Sequence, residues 1–195
     1  MFICNRRTIA LIAFLALLVV GWRAASAVAD DRPKADDTKK PAITLPKDAK
    51  AIVLSYDPGA GGFVRKGAPP YLKIQADGQV TVTNLFDGSK KESKLTAKEL
   101  EELLRFVIHE QDFFNVTAAK IDDAIKVEAA KGPAIALGGV GTSVISVHAN
   151  DKKHEVSYRG AAAYLKVYPK IKVLGQYVAI ENRLAELGAS VAKGK

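Results

Sequence analysis

The sequence predicts a single α+β domain, with an antiparallel sheet of two hairpins plus an extra strand and two or three helices on one face. Two observations carry that expectation. Short runs alternating apolar and polar residues come in adjacent pairs, the pattern of half-buried antiparallel strands. Between and after them lie segments whose apolar residues recur at helical spacing, giving the order strand, hairpin, helices, hairpin, helix.

The chain opens on MFICNRR, continues with an apolar run from Thr8 to Gly21, and reaches Ala25-Ser26-Ala27, a small-x-small cleavage pattern. The run falls short of the roughly 20 residues a bilayer-crossing helix needs. Residues 1–27 are therefore expected to be a signal peptide, with an uncleaved anchor as the alternative. Removing them takes away the single cysteine, Cys4, and leaves 168 of the 195 residues. Arg6, Arg7 and Arg23 also leave, with no acid, so the net charge falls from +8 to +5. That balance suits loose attraction to anionic envelope polymers and not tight nucleic-acid binding. The chain is expected to be exported, periplasmic or extracellular, and without a disulfide.

Residues 28–50 (VADDRPKADDTKKPAITLPKDAK) are charged, punctuated by proline and poor in large apolar side chains, the composition of a disordered tether. The folded domain is expected over 51–188, with a frayed tail over 189–195. Ala51 to Tyr56 reads as a buried strand. Tyr71 to Ala76 and Gln79 to Thr83 read as a hairpin whose pattern selects its register. A three-residue loop, Ala76-Asp77-Gly78, sets Ile74 opposite Val80 and Leu72 opposite Val82, keeping one apolar face, with Gly78 in the left-handed region.

A helix follows, opened by a capping box of Thr96 and Glu99 between Leu95 and Leu100. Leu100, Leu103, Leu104, Val107 and Ile108 form its stripe, and Phe113 and Phe114 beyond its end are expected to plug the core. A second helix is expected from about Ala118 to Lys131, stopped at Gly132-Pro133. Ser143 to Ala149 and His154 to Arg159 form the second hairpin, where opposing Val147 with Val156 and Ile145 with Tyr158 gives an apolar face and sets His148 opposite Glu155. The last helix is expected over roughly Lys172 to Leu187, ending at Gly188.

The glycine-rich stretch PGAGGFVRKG, Pro58 to Gly67, invites a phosphate-binding reading that fails on spacing. A phosphate loop requires lysine after its final glycine and a helix beyond; here Ala68, Pro69-Pro70 and a strand follow. The cluster Leu137 to Gly141 reads as a loop entering a strand. His109 lies opposite its helix's apolar stripe, and His148 and His154 are expected on opposite sheet faces, where they cannot share one zinc ion. There is no GxSxG elbow and no cysteine beyond Cys4. Asp122-Asp123 and Glu101-Glu102 are adjacent on helices, diverge by about 100°, and read as solvated surface. No catalytic residue, metal ligand or cofactor is assigned.

Taken together, Gly61-Gly62-Phe63, LKIQADGQVTV (72–82), KLTAKELEELLRFVIHEQDFF (94–114) and TSVISVHANDKKHEVSY (142–158) resemble an uncharacterised family of secreted planctomycete-type proteins, over roughly Ala51 to Leu187. The chain is also similar, more faintly, to emfourin-type inhibitors of thermolysin-like metalloproteases. It departs from them by a longer loop after Phe63 and an insert from Asp122 to Gly141. The likeness implies a non-enzymatic binding role.

The expected function is thus a secreted binding module presenting Gly59, Gly61, Gly62, Phe63, Arg65 and Lys66 to an envelope or extracellular protein. Phe63 would anchor, and Arg65 and Lys66 would steer. The competing reading makes that stretch a plain connection. The functional alternatives are an envelope hydrolase whose carboxylates converge only in the fold, and a tethered structural envelope protein, the reading favoured if the leader stays in place.

Overall fold

Six strands hydrogen-bond into one antiparallel sheet, ordered β4-β3-β2-β1-β5-β6. They are β1 (Ile52–Asp57), β2 (Leu72–Gln75), β3 (Gln79–Thr83), β4 (Lys90–Lys94), β5 (Thr142–Ala149) and β6 (Lys152–Arg159). Among the described residues four α-helices, α1 (Ala97–Arg105), α2 (Ala118–Ala129), α3 (Ala161–Val167) and α4 (Lys172–Ala192), complete the α+β domain. The computed structural model describes residues 41–59, 69–132 and 138–194. Lys39–Lys195 forms one compact unit.

Alternation places the sheet against its helices. Leu54 and Tyr56, Leu72 and Ile74, Val80 and Val82, and Ile145 and Val147 are buried on one face. They join Leu100, Leu104, Phe113, Ile121, Leu174, Tyr177 and Leu184 in a single core. The other face carries a cross-strand row of Glu92, Thr81, Lys73, Ser55, Ser146 and Glu155, one residue from each strand. An antiparallel sheet tolerates one wet face because its strands need helices on one side only.

Local chemistry decides several elements. β2 and β3 pair Ile74 with Val80 and Leu72 with Val82, around a three-residue loop in which Gly78 has φ +83°. Any Cβ at Gly78 would stand 2.5 Å from the Leu95 carbonyl oxygen. At α1, Glu99 N–H donates to the Thr96 hydroxyl at 3.2 Å, while Thr96 N–H donates to the Glu99 carboxylate at 2.8 Å. The capping box expected there is present. Beyond Arg105 the helix loosens into a π-turn, Phe106–Glu110, closed by Gln111 N–H to the Phe106 carbonyl at 2.9 Å. Phe113 is fully buried just beyond and Phe114 packs partly against the same core.

Four expectations need correction. The β5–β6 register is offset by two residues, pairing Ile145 with Val156, Ser143 with Tyr158 and His148 with Lys153. The cause is a tight two-residue turn at Asn150-Asp151, both at φ +54°, a conformation that Asn and Asp tolerate. β4 is a strand that KKESK, with no apolar alternation, does not announce; it forms by pairing with β3, and its lysines suit a sheet edge. α4 runs through Gly188 to Ala192 and buries Val191, so most of the expected frayed tail is helix. Glycine serves there because Tyr71 packs on the helix, its ring 2.5 Å from where a Cβ would stand. Finally, residues 41–50 belong to the domain and not to a tether. Ile43 and Leu45 pack on the core, and Thr44 and Asn150 exchange hydrogen bonds of 2.7 and 2.8 Å.

Candidate functional site

The topology gathers the loops of interest at one end of the sheet. β1 and β3 end there and β2, β4 and β5 begin there, so the strand ends that flank residues 60–68 lie at the same end of the sheet as the β3–β4 turn.

At the stem of the first connection, the Asp57 carboxylate accepts the Gly59 N–H at 3.1 Å. Gly59 has φ +65°, and a Cβ on it would collide with the Thr142 backbone carbonyl at the start of β5. Glycine at this position is thus required by packing between neighbouring strands. Gly61, Gly62, Phe63, Arg65 and Lys66 lie outside the described residues.

The β3–β4 turn holds the feature that sequence reasoning missed. Asn84 N–H donates to the Ser89 carbonyl at 2.8 Å, and Gly88 N–H donates to the Asn84 carbonyl at 2.9 Å. The Asn84 side chain accepts from Phe86 N–H at 2.9 Å, and the Asp87 carboxylate accepts from Ser89 N–H at 2.8 Å. These bonds fix a turn whose tip is Phe86, 91% exposed. Ser89 holds the Asp87 carboxyl below the usual carboxylate range. The signal in the sequence is Leu85-Phe86, two apolar residues framed by the turn formers Asn84 and Asp87-Gly88.

Beneath this end, α4 sets a polar network into the core. Tyr177 is fully buried, and its hydroxyl lies 3.0 Å from the Ser143 hydroxyl and 3.1 Å from the Ser143 carbonyl, to which it donates. Tyr158 packs against the Tyr177 ring at 6.3 Å and donates its hydroxyl to Asp122 at 2.8 Å. Asp122 and Asp123 are both exposed, as expected; Asp122 accepts that bond from the sheet, whereas Asp123 pairs with exposed Lys126 at 3.5 Å. Tyr56 stands edge-on to Tyr71 at 6.3 Å. Burial above all pushes the phenols of Tyr56, Tyr158 and Tyr177 well up, so at neutral pH they are hydrogen-bonding groups and not phenolate nucleophiles.

Glu181 belongs to this network. It sits on the apolar stripe of α4 with Tyr177, Val178 and Leu184, and its charge and that of Asp57 both bear on Tyr56. Burial raises its pKa, opposed by a hydrogen bond from Ser143. The folded state therefore binds this proton more tightly than the unfolded chain does. The stability it contributes is present below the ordinary glutamate pKa and is lost as pH rises through the raised one. Glu181→Gln keeps a hydrogen-bonding group without the desolvated charge. It is expected to raise the melting temperature at pH 7 and to remove this component of the fall in stability above pH 4.5. Thermal denaturation of both proteins across that range checks it; an unchanged or lowered melting temperature at pH 7 would refute it.

The histidines are dispersed. The His109 ring nitrogen lies 3.1 Å from the Pro41 carbonyl. The His154 ring nitrogen lies 2.7 Å from the Val116 carbonyl, with Phe113 edge-on to the ring at 5.2 Å. His148 and His154 alternate to opposite faces of the β5–β6 hairpin. Among the described residues no group of three histidine, cysteine or acidic side chains is arranged to hold a metal ion. No helix among them is long and apolar enough to cross a membrane.

At the far end of the sheet, Ile43, Leu45, Leu95, Leu100 and Leu104 line an apolar cleft of about 730 Å³, with Asp77, Lys94 and Glu101 also on its walls. No protein-family model, curated protein or solved structure matches the chain.

Proposed function

We propose that this chain is an exported, non-catalytic binding module that meets an envelope or extracellular protein with the loop end of its sheet. The observation that carries the reading is Phe86: a nearly fully exposed aromatic on a turn held by four hydrogen bonds. An aromatic anchor fixed before binding loses little conformational entropy on contact, which is why such residues dominate interface energetics. The stretch between β1 and β2 carries Phe63, Arg65 and Lys66 in its sequence, the same pairing of aromatic and steering charge. Export rests on the basic, apolar and small-residue pattern of residues 1–27. The resemblance to emfourin-type inhibitors makes a thermolysin-like metalloprotease the first target to try.

The test is crosslinking capture from envelope extract, then direct binding of the purified captured protein. Phe86→Ala is expected to weaken that binding by about tenfold or more, with the melting temperature unchanged because so exposed a ring adds little to its own core. Phe63→Ala/Arg65→Ala tests the adjoining loop in the same way. Equal binding by wild type and all variants would overturn the reading.

The hydrolase alternative has one observation in its favour, a carboxyl, Glu181, whose burial on α4 raises its pKa. Glu181→Gln separates the two, since a hydrolase using that carboxyl would lose activity as the fold gained stability.

A further inference from the structure

Beside the Phe86 turn the surface dips into a hollow of about 250 Å³, between the start of β4 and the end of α4. Val82, Leu85 and Tyr71 line it, with Lys91, Ala192 and Phe86 itself around them. The patch thus holds a protruding aromatic and an apolar recess side by side. It also holds one charge of each sign: Asp87 next to the protrusion and Lys91 at the recess.

A two-fold contact brings each part of a patch against the other part in the second copy, so it needs a surface complementary to itself. We propose that the hollow receives Phe86 from a second copy of this chain, and that Phe86 of the first copy enters the partner's hollow in return. The same exchange brings Asp87 of each copy to Lys91 of the other. The charges thereby favour the arrangement that the shapes permit. Pairing through the β4 edge is disfavoured, since Lys90, Lys91 and Lys94 of the two copies would face each other.

The magnitude follows from area. A buried phenylalanine removes about 150–250 Å² from water, and a stable interface totals about 1,200–2,000 Å². Two rings with the surrounding turns and helix ends fall at or below the lower figure. The dimer is therefore a weak, concentration-dependent one. The inference rests on the reading that this end of the sheet is a contact surface, and it adds a second copy of the chain as a competing occupant of it.

Sedimentation of the Lys39–Lys195 unit, which is compact in itself, from about 10 µM to about 1 mM reads the association directly. A reversible monomer–dimer equilibrium is expected. Phe86→Ala, which removes the protrusion, and Ala192→Phe, which fills the hollow from an exposed helix position, should each weaken it by about tenfold or more at unchanged melting temperature. Lys91→Glu should weaken it as well, and Asp87→Asn added to that variant should restore part of the loss while keeping the acceptor for Ser89 N–H. A monomer throughout the range, or a dimer indifferent to both Phe86→Ala and Ala192→Phe, overturns the proposal. If the unit is monomeric and Phe86→Ala still abolishes target binding, the dimer fails and the binding end stands. If neither effect is seen, both readings fail.

Discussion

Replacing Phe113 by alanine is expected to cost about 3–5 kcal/mol, the range for emptying a buried aromatic site, and to lower the melting temperature on the order of 10 °C for a domain this size. Phe113 is fully buried in the short 3-10 turn Phe113–Asn115, between the π-turn that ends the first helix and the start of α2. Asp112, just before it, is held at φ +50°, so the backbone is bent to aim this ring inward. Its edge contact with His154, 5.2 Å between ring centres, joins the helical layer to β6, and such ring pairs add about 0.5–1.5 kcal/mol beyond area burial. Phe113→Leu refills most of the space and should cost clearly less. Chemical denaturation of both variants decides it: a loss below about 1 kcal/mol for alanine would mean that the helices collapse freely into the vacancy.

Gly59→Ala is expected to be comparably damaging, at about 2–6 kcal/mol. Forcing alanine to a positive φ costs about 1–3 kcal/mol, and crowding a packed site costs about 1–3 more. The collision is with the Thr142 carbonyl, which belongs to a strand and cannot swing aside as a flexible side chain would. Gly139 supplies the internal control, because its φ of +68° nearly equals that of Gly59 while no atom of the described residues stands within 4 Å of its missing Cβ. Gly139→Ala should therefore show the conformational cost alone. Urea titrations of the pair measure the difference, and equal losses would remove the argument that Gly59 is required by contact with β5. This result also bears on the glycine-rich stretch as a binding loop. Its first glycine is explained by the fold, so any role in contact must come from the residues beyond it.

What can be read along the chain is whatever nearest neighbours decide. The β2–β3 register follows from the parity of Leu72, Ile74, Val80 and Val82 together with Gly78. The capping box at Thr96 follows from a spacing of three, and Phe113 follows from an apolar pair placed just past a stripe that has run out. The same kind of reading goes wrong at β5–β6. Parity puts the correct residues on the apolar face, but a shift of two preserves parity, so only the turn geometry at Asn150-Asp151 can choose between the registers. The exposed Phe86 is legible as an apolar residue inside turn chemistry, and Glu181 as a carboxylate on an apolar helical stripe. Neither signal says what surrounds the side chain.

The sequence by itself determined an α+β domain with an antiparallel sheet, its apolar faces, its first helix start, and a chain with no second cysteine to form an internal disulfide. Those properties depend on periodicity, on side chains three residues apart, or on composition alone. The tertiary structure decided that KKESK is a strand, that α4 passes through Gly188, that Ile43 and Leu45 join the core, and that burial raises the pKa of Glu181. Each of these depends on a partner elsewhere in the chain: the edge of β3 for KKESK, the Tyr71 ring for Gly188, the packed core for Ile43 and Leu45, and Ser143 of β5 for Glu181. A charged segment with no pattern of its own becomes a strand when an unpaired neighbouring strand offers it hydrogen bonds, and a glycine stays helical when a ring needs the space of its missing side chain.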